Sequence, residues 1–111
     1  MVWADLAPTV GREQAGRRPV LVVAGAGYLE LVTTLAIVVP ISTIDRGWPN
    51  HVPLTGPVTA AGTDRGLSRP SFALTEQPRT ISRTRLRGHL GRVDDRCLRT
   101  VHEWLVDFLT F

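Results

Sequence analysis

Two short apolar runs, Val20–Ala24 and Leu35–Val39, limit what this chain can fold into. Each is five residues long, and the second is followed at once by Pro40. A strand with one wet face alternates apolar and polar side chains. A run that is apolar at every position must be covered on both faces. Five residues are too few for a stable helix, and the valines and isoleucine favour extended backbone. Gly25 and Gly27 end the first run. The chain therefore needs two central strands with packed material on both sides, and everything else has to supply that cover.

The flanking segments read accordingly. Val2–Leu6, bounded by Pro8, suits a short first strand, and Gly11–Arg17 is a loop. Tyr28–Thr34 makes a turn of helix, and Ile41-Ser42-Thr43 leads out of the second buried strand. Asp45–Asn50, with Gly47 and Pro49, is a turn. His51–Leu54 is a strand placed near an edge by Pro53. Gly56–Pro70, rich in glycine and proline, is a long connection. Ser71–Thr75 alternates with period two, so one of its faces belongs in the core. Arg83, Arg85 and Arg87 share one face if Thr80–Arg87 is extended and are simply solvated if it is looped. Gly88–Val93 is a last short strand. Asp94 then caps a C-terminal helix, with Asp95 in the first turn and Val93 stapling onto Leu98. Leu98, Val101, Leu105 and Phe108, with Leu109 beside them, form its apolar stripe. The expected class is α+β and mostly β: five or six short strands in a small twisted antiparallel sheet or open barrel, with one packed helix.

At 111 residues, 43% of them apolar, the chain is expected to be one domain, 1–111, able to bury a core without staples. Cys97 is the single cysteine, so no internal disulfide forms, and a reducing cytoplasm is expected. No basic region follows Met1, so no signal peptide is expected. Leu29–Ile41 is interrupted and too short to span a bilayer, so no membrane partner is expected. All 13 basic residues are arginines, and the net charge is +3. A GC-rich genome accounts for such a bias. So does anion recognition, since guanidinium groups grip phosphate bidentately and stack on bases.

Several chemistries lack their signatures. The three histidines have no cysteine or carboxylate at ligand spacing, so no metal and no cofactor is expected. There is no Gly-x-Ser-x-Gly elbow, and Gly25-Ala26-Gly27 lacks the third glycine of a dinucleotide loop. Three polar constellations remain, each next to a buried strand. They are Glu13-Gln14-Ala15-Gly16-Arg17-Arg18-Pro19, Pro40-Ile41-Ser42-Thr43, and Thr75-Glu76-Gln77-Pro78-Arg79-Thr80. Taken singly, the first is an ordinary loop with an arginine paired to Glu13, or a grip for a phosphate or carboxylate. The second is a polar strand end. Converging on one sheet edge, the three supply arginines, hydroxyls and carboxylates to one concave basic surface.

In this order, and with Leu90-Gly91-Arg92-Val93 before the final helix, these motifs resemble the MazF/PemK family of toxins from toxin–antitoxin modules. The likeness runs from Val2 to about Leu109. It implies an SH3-like (CcdB/MazF-type) antiparallel barrel, a homodimer, a cognate antitoxin with an acidic disordered tail, and metal-independent cleavage of single-stranded RNA. By that likeness Arg18 is the catalytic arginine and Ser42 the catalytic hydroxyl, with Thr43 as the alternative donor. Glu13 and Gln14 match the loop near the active site, Glu13 as a group that orients Arg18 or the substrate. Gln77, Arg79 and Thr80 match an RNA-contacting motif. Arg17, Arg46, Trp48, Arg83 and Arg85 are further candidates for the RNA footprint, Trp48 by stacking on a base. His102 and Cys97 read as structural. Two features depart from the family pattern: serine stands at 42 where many relatives have threonine, and the Arg-Gly-Asp-like lead-in to the first strand is missing. A non-enzymatic toxin on the same barrel, like the gyrase-poisoning relatives, and a catalytically weakened RNA-binding member are the alternative readings.

Overall fold

A computed structural model describes residues 1–5, 17–55 and 69–110. In chain order the elements are β1 (Val2–Asp5), β2 (Arg17–Val22), α1 (Ala26–Leu31), β3 (Leu35–Ser42), β4 (His51–Pro53), β5 (Phe72–Leu74), β6 (Arg79–Ser82), a 3-10 turn (Arg83–Arg85), β7 (Leu86–His89) and α2 (Asp95–Leu109). The strands form one seven-stranded sheet in the order β4-β5-β3-β2-β1-β7, with β6 on β3. Every pairing is antiparallel. The mostly β class with a C-terminal helix is as expected.

Both apolar runs are buried on two faces, and the two faces build two cores. Leu21 and Val23, with Val39 and Ile41, face α2 and pack with Val52, Leu54, Cys97, Val101 and Leu105. Val20 and Val38 point the other way, into a smaller core with Ala4, Ala36 and Ile81. The strands outrun the apolar runs. β2 begins at Arg17, inside the expected loop, because Asp5, Ala4 and Trp3 of β1 pair with Arg17, Arg18 and Pro19. β3 continues through Pro40 to Ser42, carried by pairing of Ile41 and Ser42 with β5. The expected last strand, Gly88–Val93, instead spans Leu86–His89.

The far edge of β3 is shared. Ile41 pairs with Ala73 of β5 and Val38 with Arg79 of β6. Three steps along β3 thus face six steps along the other strand, so the Thr75–Pro78 segment is extruded there. Pro40 lies opposite this gap and has no N–H to offer it. In Ser71–Thr75 the buried positions are Ser71, Ala73 and Thr75, while the larger Phe72 and Leu74 are only half-buried. The alternation is therefore real, but the small and hydroxylated residues take the core side, where sheet and neighbouring turn leave little room.

Arg83–Arg85 form a 3-10 turn rather than a strand, capped by Ser82, whose hydroxyl accepts the Thr84 N–H at 3.3 Å. Asp94 caps α2 by accepting the Cys97 N–H at 2.8 Å, and Val93 and Leu98 both pack against the larger core. The apolar stripe of α2 leaves that core at its end, where Phe108 and Leu109 are exposed.

Candidate active site

The register of β2 on β3 runs Val22↔Val38, Leu21↔Val39, Val20↔Pro40. Continued by two residues, it brings Arg18 across from Ser42. The extruded segment after β5 enters from the opposite edge of β3. A cavity of about 580 Å3 opens where these pieces meet, lined by Arg18, Pro19, Pro40, Ile41, Ser42, Thr43, Ile44, Leu74, Gln77 and Arg79. Residues from all three polar constellations therefore meet in one cleft, and no acid is among its described lining residues.

The site stands on rigid elements. Arg18 lies on a strand flanked by β1, next to a proline that fixes its own φ. The Ser42 hydroxyl accepts the Ile44 N–H at 3.0 Å, so its own proton is left to donate toward the cleft. The segment beyond is held by Asp45 Oδ1, which accepts the Gly47 N–H at 2.9 Å. Gly47 has φ +75°, a left-handed conformation that suits glycine.

Behind Gln77 lies a polar network. The Glu76 carboxylate accepts from Asn50 Nδ2 at 2.8 Å and from Gln77 Nε2 at 3.0 Å, and it meets His51 Nε2 at 3.0 and 3.1 Å. Thr75 is fully buried and donates its hydroxyl to the Asn50 carbonyl at 2.8 Å. Partial burial pushes the Glu76 carboxyl up, but the hydrogen bonds from His51 and Gln77 outweigh it and hold the group below its ordinary range. His51 is 5% exposed, and the Trp48 ring lies against it at 4.8 Å between centroids.

The structure gathers Arg18, Ser42, Thr43, Gln77 and Arg79 and leaves other candidates outside the cleft. Arg46, Trp48, Thr80 and Arg85 do not line it. Trp48 packs on His51 as one face of the network. Arg83 serves the fold: its guanidinium donates to the carbonyls of Leu29, Val32 and Leu35, closing the C-terminal end of α1. Glu13, Gln14 and the Arg17 side chain lie outside the described residues, as does 56–68 of the long connection. Sequence reasoning missed Ile44 and Leu74 as lining residues, and it missed His51 and Asn50 as partners of Glu76. The polar pair Asn50-His51 opening an edge strand was the available signal. His102 Nε2 donates to the Val23 carbonyl at 2.9 Å, and Cys97 is buried, its thiol pushed up by burial. Both are structural, as expected.

Comparison with known proteins bears on the family and the fold. Residues 1–109 match the family described as PemK-like, MazF-like toxin of type II toxin-antitoxin system. The chain is 34% identical over 104 residues to the endoribonuclease EndoA of Bacillus subtilis, covering 93% of this chain and 84% of that protein. A crystal structure of MazF from Deinococcus radiodurans superposes with a TM-score of 0.72 at 28% identity, covering 97% of this chain and 90% of that one. A MazE–MazF complex from the same organism gives 0.70 at 28% identity, with the same coverage of both chains. Sequence and fold thus lead to one assignment: the chain belongs to the PemK-like, MazF-like toxins of type II toxin–antitoxin systems.

Proposed function

We propose that this chain is the toxin of its module and an endoribonuclease that cuts single-stranded RNA without a metal ion. The observation that carries the reading is the cleft itself, in which a strand-borne arginine and a hydroxyl with a free proton meet, with no acid among the described lining residues. Such a site suits a phosphodiester. The 2′-hydroxyl of the substrate attacks the neighbouring phosphorus, and the bond to the 5′ oxygen breaks. The products are a 2′,3′-cyclic phosphate and a 5′-hydroxyl.

Arg18 would stabilise the extra negative charge of the phosphorane and assist proton transfer. Ser42, or Thr43 beside it, would donate to a non-bridging oxygen. Donors fixed before the reaction stabilise such charge at little reorganisation cost. Gln77 and Arg79 would hold the flanking RNA, and Glu13 and Gln14, through the family likeness, would complete the site from the β1–β2 loop.

The same reading makes the chain a single toxin domain that pairs with a second copy and with a cognate antitoxin, in the cytoplasm. No helix among the described residues is long and apolar enough to cross a membrane. The test is to incubate the purified protein with a long single-stranded RNA in EDTA and map new 5′ ends. Discrete cuts with cyclic-phosphate termini are expected. Arg18→Ala should slow cutting about a hundredfold or more, the usual worth of one such donor. Uncut RNA, or a variant as fast as wild type, overturns the reading.

A further inference from the structure

Among the described residues that line the cleft, only Thr43, Ile44 and Gln77 are not on strands. Thr43 and Ile44 follow β3 directly and are tied back by the Ile44 N–H on Ser42. Gln77 lies in the connection 75–78, between Leu74 at the end of β5 and Arg79 at the start of β6. Arg79 is set by its pairing with Val38 on β3, but Gln77 belongs to no ladder. Its N–H closes a turn on the Leu74 carbonyl at 3.1 Å, and Pro78 after it has no N–H to give. The start of β4 supplies the remaining hold. There the Asn50 carbonyl accepts the Thr75 hydroxyl, and Asn50 Nδ2 and His51 Nε2 meet the Glu76 carboxylate.

Within this hold His51 is the member whose placement is expensive. A carboxylate only accepts, so the proton between His51 and Glu76 belongs to Nε2. The other ring nitrogen, Nδ1, is buried and has no hydrogen-bond partner among the described residues. A buried polar atom left unpaired costs free energy, so the direction of the ring is set by what Nε2 gains at Glu76. The Trp48 ring covers the imidazole, and the His51 N–H on the Trp48 carbonyl at 3.0 Å holds the backbone there. We propose that His51 is a positioning residue: buried beneath Trp48, it fixes through Glu76 the connection that presents Gln77 to RNA, and it takes no part in bond breaking. The proposal rests on the endoribonuclease reading for its substrate. A ring this buried, and not among the residues that line the cleft, does not meet the reacting atoms.

The test measures KM and kcat on a single-stranded RNA, and affinity for a single-stranded deoxyribo-oligonucleotide by fluorescence anisotropy. His51→Leu removes the donor to Glu76. It should weaken binding roughly three- to tenfold, the worth of one hydrogen bond made by Gln77, and raise KM by the same factor with kcat unchanged. His51→Gln places its amide nitrogen as many bonds from Cα as Nε2 and has no counterpart of Nδ1, so it should recover most of the loss. Added to Gln77→Ala, His51→Leu should cost nothing more. Added to Arg79→Ala it should cost its full factor, because β3 holds Arg79 independently.

Should His51→Leu fail to fold, Asn50→Ala removes the other donor to Glu76 while leaving the backbone carbonyl that holds Thr75, and the same pattern is expected of it. A fall in kcat that His51→Gln does not recover would put His51 in the chemistry. Losses that add to those of Gln77→Ala would make it a support of the fold at large. Either result overturns the proposal, as does wild-type affinity in His51→Leu. If wild type binds the deoxyribo-oligonucleotide but leaves RNA uncut, the endoribonuclease reading falls alone and the binding comparisons still decide the role of His51. If it binds no strand at all, both fall.

Discussion

Arg18 and Arg83 are chemically the same side chain placed in opposite roles, and the backbone around each decides which. Arg18 stands exposed on a strand at the mouth of a cleft. Arg83 opens a hydroxyl-capped 3-10 turn, and its guanidinium reaches the end of α1, where it meets the carbonyls of Leu29, Val32 and Leu35. The last carbonyls of a helix have no partners within it, and a planar fork of donors suits them. The 83/85/87 spacing gives a shared face on extended backbone and solvated side chains on a loop, and neither alternative placed Arg83 against the end of α1. Ser82-Arg83-Thr84 held the counter-signal, since a serine hydroxyl that can take a following N–H favours a turn. Arg83→Ala should therefore cost about 1–2 kcal/mol of stability, from stranding partly buried acceptors, read as a lowered urea midpoint. RNA affinity of the folded variant should fall less than that of Arg79→Ala. A variant as stable as wild type but defective in RNA binding would return Arg83 to the RNA footprint.

At the scale of elements, what was legible was what local physics sets alone. The two apolar runs had to be central strands, and Asp94 ahead of an amphipathic stripe had to start a helix. The ends of β2 and β3 were not legible, because Arg17-Arg18-Pro19 and Pro40-Ile41-Ser42 become strand only through partners on β1 and β5. The inward face of Ser71–Thr75 was likewise set by tertiary contact: Thr75 is buried because it bonds to the Asn50 carbonyl. The His51–Glu76 pair, 25 residues apart, has no local signature at all. The cap of α2 is a direct test of the legible part. Asp94 accepts the Cys97 N–H and also the Thr55 hydroxyl at 2.9 Å, so it ties the helix start to the segment after β4. Asp94→Ala should cost about 1–2 kcal/mol in urea unfolding. Asp95→Ala, which removes only a charge near the helix start, should cost about 0.3–1 kcal/mol. Equal losses from the two would mean that the helix start depends on charge rather than on the cap.

At the scale of the molecule, the described residues gather positive charge in the cleft. Arg18 and Arg79 line the cleft with no acid among the described lining residues, whereas on α2 and its cap Asp94, Asp95, Glu103 and Asp107 outnumber Arg96 and Arg99. A net charge of +3 does not describe the site itself, where two guanidinium groups line one cleft. A low-dielectric cleft lined by one sign of charge concentrates anions. It also makes their binding depend on salt, since each neutralised phosphate of a single strand releases counterions and contributes about −0.7 to the slope of log K against log salt. A single-stranded oligonucleotide with 2′-deoxyribose lacks the attacking hydroxyl and so reports binding without cleavage. Its affinity, measured by fluorescence anisotropy between 50 and 300 mM salt (roughly the range over which such slopes are read), should fall linearly on these axes. Arg79→Ala should flatten the slope by about 0.7, because it removes one phosphate contact while leaving the strand-borne Arg18 in place. Gln77→Ala should weaken binding with the slope unchanged, because an uncharged amide displaces no counterion. If Arg79→Ala lowers affinity without changing the slope, Arg79 contacts a base or the fold instead of a phosphate, and the cleft binds through shape rather than through its field.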